Sequence, residues 1–259
     1  MIKVFKIGGN VIEDPVMLDK FCRDYSAVAG GKVLIHGGGA FASELQTRLG
    51  QTPVKIEGRR VTDEDTLQAV TMAYAGWCNK MLVSTLQKYG CDAIGLAGCD
   101  ANVVCARRRP PRMLMDGKTV VDYGFVGDVN PGSVNTKFLE ALLEMGLSPV
   151  LCAINHDGKG QLLNTNADTM ASSVAAALEA QLVCCFELDG VLSDINNPAS
   201  LIPYISSSDF EILKSSGQIA GGMIPKIENC LMALRCGAVE AIIKNAGDIN
   251  GNKGTRIVL

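Results

Sequence analysis

The stretch Ile2-Lys3-Val4-Phe5-Lys6-Ile7-Gly8-Gly9 decides how the chain is read. From Ile2 to Ile7 it is apolar and largely β-branched apart from two lysines, which is the pattern of a buried strand, and it delivers Lys6 into a glycine pair. Glycines lack a Cβ, so their N–H groups approach an anion closely, and an ammonium beside them supplies the compensating charge. Taken alone, the turn is more often an ordinary strand-to-helix connection with a solvated lysine. Its meaning depends on the rest of the chain.

Asp14 to Ala29 carries Met17, Leu18, Phe21, Cys22, Tyr25 and Val28 at helical spacing, and Gly30-Gly31 stops it. Val33-Leu34-Ile35 is a buried strand that runs into His36-Gly37-Gly38-Gly39, and a helix follows from Ala40 to Leu49. Strand, triglycine and helix together form an anion cradle, because unpaired N–H groups and the positive end of the helix dipole point the same way. Gly37 to Ala42 also fits a loose GxGxxA dinucleotide pattern, but that reading leaves the Lys6 turn without a role. No GxxxxGK[ST] exists, which excludes a P-loop. Val54 to Val61 is extended and basic. Arg60 could grip a carboxylate bidentately, whereas Arg59 is expected to face solvent because strand neighbours point oppositely. Thr62-Asp63-Glu64-Asp65 caps a long helix to about Tyr89, with Leu67, Val70, Tyr74, Trp77 and Met81 in one stripe, either core or a subunit interface.

Strands at Ala93 to Leu96, Ser148 to Ile154, Leu182 to Leu188 and Ala241 to Ile243 alternate with helices, and Val120 to Val129 reads as a β-excursion. The alternation implies an α/β fold with an open, mainly parallel central sheet and helices on both faces. Asn164-Thr165-Asn166-Ala167-Asp168 opens an alanine-rich helix; these residues are either caps, or Asn164 holds a substrate and Asp168 orients lysines. Gly221-Gly222-Met223-Ile224-Pro225-Lys226 is a second glycine-lysine turn, with Pro225 suiting a first helical turn.

The bulk numbers exclude several classes. At 47% hydrophobic residues over 259 positions the chain can bury a large core, and a net charge of -3 gives no global attraction to nucleic acid or to an anionic membrane. Arg107-Arg108-Arg109 and Arg112 are the exception: a solvated loop beside Pro110-Pro111, or a clamp for an anionic substrate. Ten cysteines without a CxxC pair read as small buried hydrophobes, and with two histidines a histidine-based metal site is not expected. With neither a leader nor a membrane-length apolar run, a cytosolic location is expected.

Two glycine-lysine turns, a triglycine cradle and the Asn-x-Asn-x-Asp helix start are far more specific together than singly. With Gly58-Arg59-Arg60-Val61-Thr62 and Gly124-Phe125-Val126-Gly127 they run nearly end to end in the order of the amino acid kinase family, which the sequence resembles, most closely its acylglutamate-phosphorylating branch. The resemblance implies a three-layer α/β/α sandwich, with residues 1–181 binding an acylglutamate and residues 182–259 binding ATP in one continuous fold. It assigns Lys6 and Lys226 to the transferring phosphate and Asp168 to organising both. Gly37, Gly38, Arg60 and Asn164 fall to the acylglutamate, and Gly8, Gly9, Glu187, Gly190, Gly222 and Met223 to the nucleotide, with Mg²⁺ carried by ATP.

N-acetyl-L-glutamate is the default substrate and N-succinyl-L-glutamate the alternative, for which Arg59, Arg107, Arg108, Arg109 and Arg112 offer partners that the sequence alone does not place at the pocket. Another family activity, or a non-catalytic metabolite sensor, is the rival. Two positions depart from the family pattern, Asn10 and Glu187. Because the first strand begins at Ile2, without the additional N-terminal helix of arginine-inhibited relatives, an arginine-insensitive homodimer built on the Asp63 to Tyr89 helix is expected.

Overall fold

The computed structural model of the chain describes residues 1–114 and 116–259. Its centre is strand β1, Lys3–Ile7. The chain continues through α1 (Gly9–Glu13), α2 (Pro15–Ser26), β2 (Lys32–His36) and α3 (Gly39–Arg48). A hairpin pairing Lys55–Ile56 with Arg59–Arg60 precedes α4 (Glu64–Thr71), a π-helical segment (Met72–Cys78) and α5 (Asn79–Lys88). Next come β3 (Ala93–Leu96), α6 (Thr136–Glu144), β4 (Ser148–Cys152), α7 (Ala167–Ala177), β5 (Gln181–Phe186) and β6 (Tyr204–Ile205). The chain ends with α8 (Ser207–Ser215), α9 (Met223–Arg235), β7 (Glu240–Asn245) and β8 (Thr255–Ile257).

The eight strands form one sheet in the order β6-β8-β7-β5-β1-β2-β4-β3, parallel throughout except for the β7/β8 pair. Because β1 lies between β5 and β2, the chain leaves the sheet centre in both directions, which opens a crevice at the carboxyl ends of these strands.

Alternation along β1 sorts the two cores. Val4 packs with Val33, Ile35, Val174 of α7 and Ile227 of α9; Phe5 and Ile7 pack on the other face with Leu34, Phe21 and Tyr25 of α2, and Leu82 and Leu86 of α5. The result is a three-layer α/β/α sandwich. Lys6 shares the parity of Val4 and so faces α7.

The long helix expected from Asp63 is present, capped by the Asp63 carboxylate, which accepts from Thr66 N at 2.8 Å. The π-helical segment at its middle is a feature the apolar spacing does not announce. Val70, Ala73 and Tyr74 lie in one core and Cys78, Leu82 and Leu86 in the other, so the helix passes the end of the sheet and packs on both faces. Trp77, whose stripe the spacing leaves open between core and interface, is 62% exposed, and Gly76 faces open space rather than a close helix neighbour. Among the described residues no helix is long and apolar enough to cross a membrane.

Candidate active site

The carboxyl end of β1 places Lys6 next to the first turn of α7. Lys6 is 8% exposed, and its Nζ lies 2.7 Å from Asp168 Oδ1. Burial pushes the Lys6 ammonium towards its neutral form, but the charge and hydrogen bond of Asp168 outweigh it and hold the pKa above its usual value. A cation is therefore maintained inside the protein, beside glycine backbone. Gly8 and Gly9 follow it, and a Cβ added at Gly8 would lie 3.8 Å from Lys6 Nζ without meeting protein more closely.

The triglycine turn after β2 leaves the sheet beside the Gly8 turn and lines the same cavity. Gly38 has φ +154°, and a Cβ there would fall 2.8 Å from Cys78 Sγ and 2.9 Å from Tyr74 Cδ1. The π-helical segment thus packs directly against the turn, which is the physical reason for glycine at this position. Beneath it, His36 is fully buried. Its Nδ1 donates to the Gly37 carbonyl at 2.7 Å, which leaves Nε2 to accept from Asn79 Nδ2 at 3.1 Å. Burial lowers its pKa to about 4, so the ring is neutral and braces the turn.

Arg60 is buried at 8% exposure. Its Nη2 donates to Gly39 O and Ser43 Oγ, both at 2.8 Å, and Nη1 donates to Gln46 Oε1. The Asn-x-Asn-x-Asp motif divides its labour: Asn166 caps α7 by accepting from Thr169 N at 3.0 Å, while Asn164 stands on a short strand and donates to Thr62 Oγ1 at 3.1 Å. Lys6, Gly8, Gly9, Gly37, Gly38, Arg60, Asn164 and Asp168 all line one cavity of about 270 Å³. Residues from separate stretches of sequence therefore converge.

The cavity also contains residues the sequence reading missed or misplaced. Arg59, expected to face solvent, is half-buried and lines it together with Lys55, Tyr74 and Arg109. The extended Val54 to Val61 segment is in fact a tight hairpin turning at Glu57 and Gly58, both with positive φ. The β-excursion covers its far side, with Thr62 N donating to Tyr123 O at 2.9 Å and Phe125 N to Thr62 O at 2.7 Å. Arg59 is consequently half-buried against protein although Lys55, Glu57 and Gly58 stay exposed, and alternation does not imply solvent here. The arginine run is not a free loop: Arg107–Arg108 pairs with Gly127–Asp128, and Arg109 Nε donates to both Asp128 carboxylate oxygens, at 3.0 and 3.2 Å.

The profile of the amino acid kinase family matches residues 1–245. The chain belongs to that family. An acetylglutamate kinase of Bacteroides thetaiotaomicron is 44% identical over 99% of this chain and 98% of its own length, and one from Cytophaga hutchinsonii is 44% identical over 98% and 97%. Among solved structures, a Streptococcus mutans protein superposes with a TM-score of 0.77 at 29% identity, over 99% of this chain and 98% of that one.

In this amino acid kinase the remaining predicted residues lie outside the 270 Å³ cavity. Lys226 is half-buried near the start of α9, its Nζ 3.3 Å from Gly222 O and 5.5 Å from the ring centre of Phe186, at the end of β5. Ser172 Oγ lies 2.9 Å from both the Asp168 and the Asn229 carbonyls, which locks α7 to α9 one turn beyond Asp168 and Lys226. A Cβ at Gly222 would lie 3.8 Å from Lys226 Nζ, the same relation that Gly8 bears to Lys6. Met223 is half-buried as the first residue of α9. Gly190 is buried, and a side chain there would meet Thr255 Oγ1 at 2.6 Å and Leu201 Cδ1 at 2.7 Å, so packing alone demands glycine. The two departures from the family pattern touch each other, Asn10 donating to the Glu187 carboxylate and tying α1 to the end of β5.

Proposed function

We propose that the protein transfers the γ-phosphoryl group of ATP to the side-chain carboxylate of an N-acylated L-glutamate, with N-acetyl-L-glutamate as the default substrate, in arginine biosynthesis. The observation that carries this reading is the cavity that joins the Lys6–Asp168 pair to the buried Arg60 and Asn164. In the proposed complex Arg60 and Asn164 hold the α-carboxylate and amide end of the substrate. The side-chain carboxylate then lies towards Lys6, Gly8 and Gly37.

A carboxylate is already ionised at neutral pH and needs no general base. An oxygen lone pair forms the new O–P bond as the bond between the γ-phosphorus and the bridging oxygen breaks, giving an acyl phosphate and ADP. Charge repulsion between the two anions is the barrier to be overcome, and in this reading Lys6, Lys226 and the glycine N–H groups neutralise it. Asp168 keeps Lys6 charged and aimed.

Among the residues lining the cavity Asp168 is the one carboxylate, and it is engaged by Lys6. The described residues contain no cluster of three or more His, Cys, Asp or Glu able to hold a metal. A Mg²⁺ ion fits this donor set only as a passenger on the triphosphate, where it would offset phosphate charge. Residues 182–259, with Glu187, Gly190, Gly222 and Met223, form the nucleotide side in this reading, and residues 1–181 the acylglutamate side.

We extend the proposal to a cytosolic location and a homodimer, the dimer supported by the exposed Trp77 and Met72 and by the groove they share with Phe41 and Leu45 of α3. The activity is tested by ADP release with Mg-ATP, comparing N-acetyl-L-glutamate with free L-glutamate. Turnover that requires the acyl group is the expected result; turnover of free glutamate alone would replace the reading with another family activity.

A further inference from the structure

The cavity has more positive charge than an N-acetylated glutamate can use. Lys6, Lys55, Arg59, Arg60 and Arg109 line it against the single carboxylate of Asp168. In the proposed complex Lys6 serves the phosphoryl transfer and Arg60 the α-carboxylate, which leaves Lys55, Arg59 and Arg109 unassigned.

These three sit on two segments that line the cavity, the hairpin of residues 55–60 and the stretch following Arg107–Arg108. Arg109 N donates to Val126 O at 2.8 Å, and Val126 bridges to Asn164, so the Arg109 segment is anchored beside the residue assigned to the amide end of the substrate. The Arg109 guanidinium is pre-oriented by Asp128, with the Tyr123 ring centre at 5.8 Å, and its side chain is only 11% exposed. Arg59 is the opposite case. It is half-buried, and among the described residues its side chain has neither a hydrogen bond nor an ion pair. Burial first, then the like charges of Arg109 and Arg112, lower its pKa, while Asp128 compensates in part. A guanidinium held half-buried beside like charges is costly unless an anion completes the site.

We propose that Lys55, Arg59 and Arg109 form an anion subsite at the acyl end of the cavity, which takes a second carboxylate borne by the acyl group, the chemistry of a dicarboxylic N-acyl-L-glutamate of the succinyl class. This rests on the cavity being the acylglutamate site. Arg59 supplies the free guanidinium fork, Arg109 a donor fixed by Asp128, and Lys55 an exposed ammonium at the rim.

The test compares kcat/KM, by ADP release, for N-acetyl-, N-butyryl- and N-succinyl-L-glutamate in the wild-type enzyme, Arg59→Leu and Arg59→Lys. Butyryl matches the length of succinyl without its charge. The subsite predicts N-succinyl over N-butyryl by about tenfold or more, as for loss of one charged hydrogen bond. It also predicts that Arg59→Leu collapses that ratio and that Arg59→Lys restores part of it. Acetyl or butyryl turnover equal to or above succinyl in the wild type overturns the subsite and leaves the acylglutamate reading standing, as does a ratio unmoved by Arg59→Leu. Absence of turnover with every acylglutamate overturns both.

Discussion

At the scale of single residues, the proposed chemistry rests on Lys6 and Asp168. A buried ammonium persists because its partner lies 2.7 Å away, and the pair sits among glycines whose missing side chains leave room for a ligand. Removing one such electrostatic stabiliser costs about 2 to 4 kcal/mol of barrier. Lys6→Ala and Lys226→Ala are each expected to fold and bind acylglutamate while losing roughly a hundredfold or more in kcat; circular dichroism and steady-state rates check both, and wild-type turnover in either would remove that lysine from the mechanism. His36 makes a prediction about stability instead. Its folded pKa of about 4 lies below the usual value of 6.5, so the unfolded chain binds the proton first as pH falls. The stability it contributes is complete above about pH 6.5 and declines towards pH 4, amounting to about 2 kcal/mol between pH 7 and pH 5. Urea unfolding at both pH values, with His36→Gln for comparison, should show a shallower pH slope in the variant.

At the scale of elements, the triglycine turn and the π-helical segment work as one unit. The three glycines have different reasons to exist. Gly38→Ala drives a Cβ into Tyr74 and Cys78, and overpacking of this kind costs about 1 to 3 kcal/mol, which predicts a drop in Tm of several degrees. At Gly39 a Cβ meets nothing within 4 Å, so Gly39→Ala should melt close to wild type. Equal losses in thermal denaturation would contradict the packing described. Sequence legibility divides along the same line. The strand-glycine-helix units at Gly8 and Gly37 are readable because glycine and apolar period are local signals. The π-helical segment is not, since seven residues of altered winding leave the apolar stripe almost intact. Alternation misplaces Arg59 because it presumes that one face of a strand meets water, whereas here the β-excursion covers it. Asn166 caps the helix as the capping reading expects, and Asn164, Asn166 and Asp168 all line the cavity, within a single short motif.

At the scale of the whole molecule, one eight-stranded sheet runs through both proposed halves, with β1 hydrogen-bonded to β5 across the boundary at residue 181. The order of motifs along the chain makes this architecture legible, but the convergence of the arginine hairpins on the cavity requires tertiary contacts that no spacing rule encodes. The outer face of the fold presents Met72 at 46% and Trp77 at 62% exposure above an apolar groove. A homodimer through this face predicts twice the chain mass by light scattering, and Trp77→Glu should halve it; a wild-type monomer would remove the dimer from the proposal. Phosphorylation of the side-chain carboxylate of an acylated glutamate can be read by trapping the acyl phosphate product. With Mg-ATP, N-acetyl-L-glutamate and hydroxylamine, the enzyme should yield the acyl hydroxamate in step with ADP, and Lys6→Ala should yield almost none. ADP release without hydroxamate, or hydroxamate from free L-glutamate alone, would contradict phosphorylation of an acylated glutamate in this cavity.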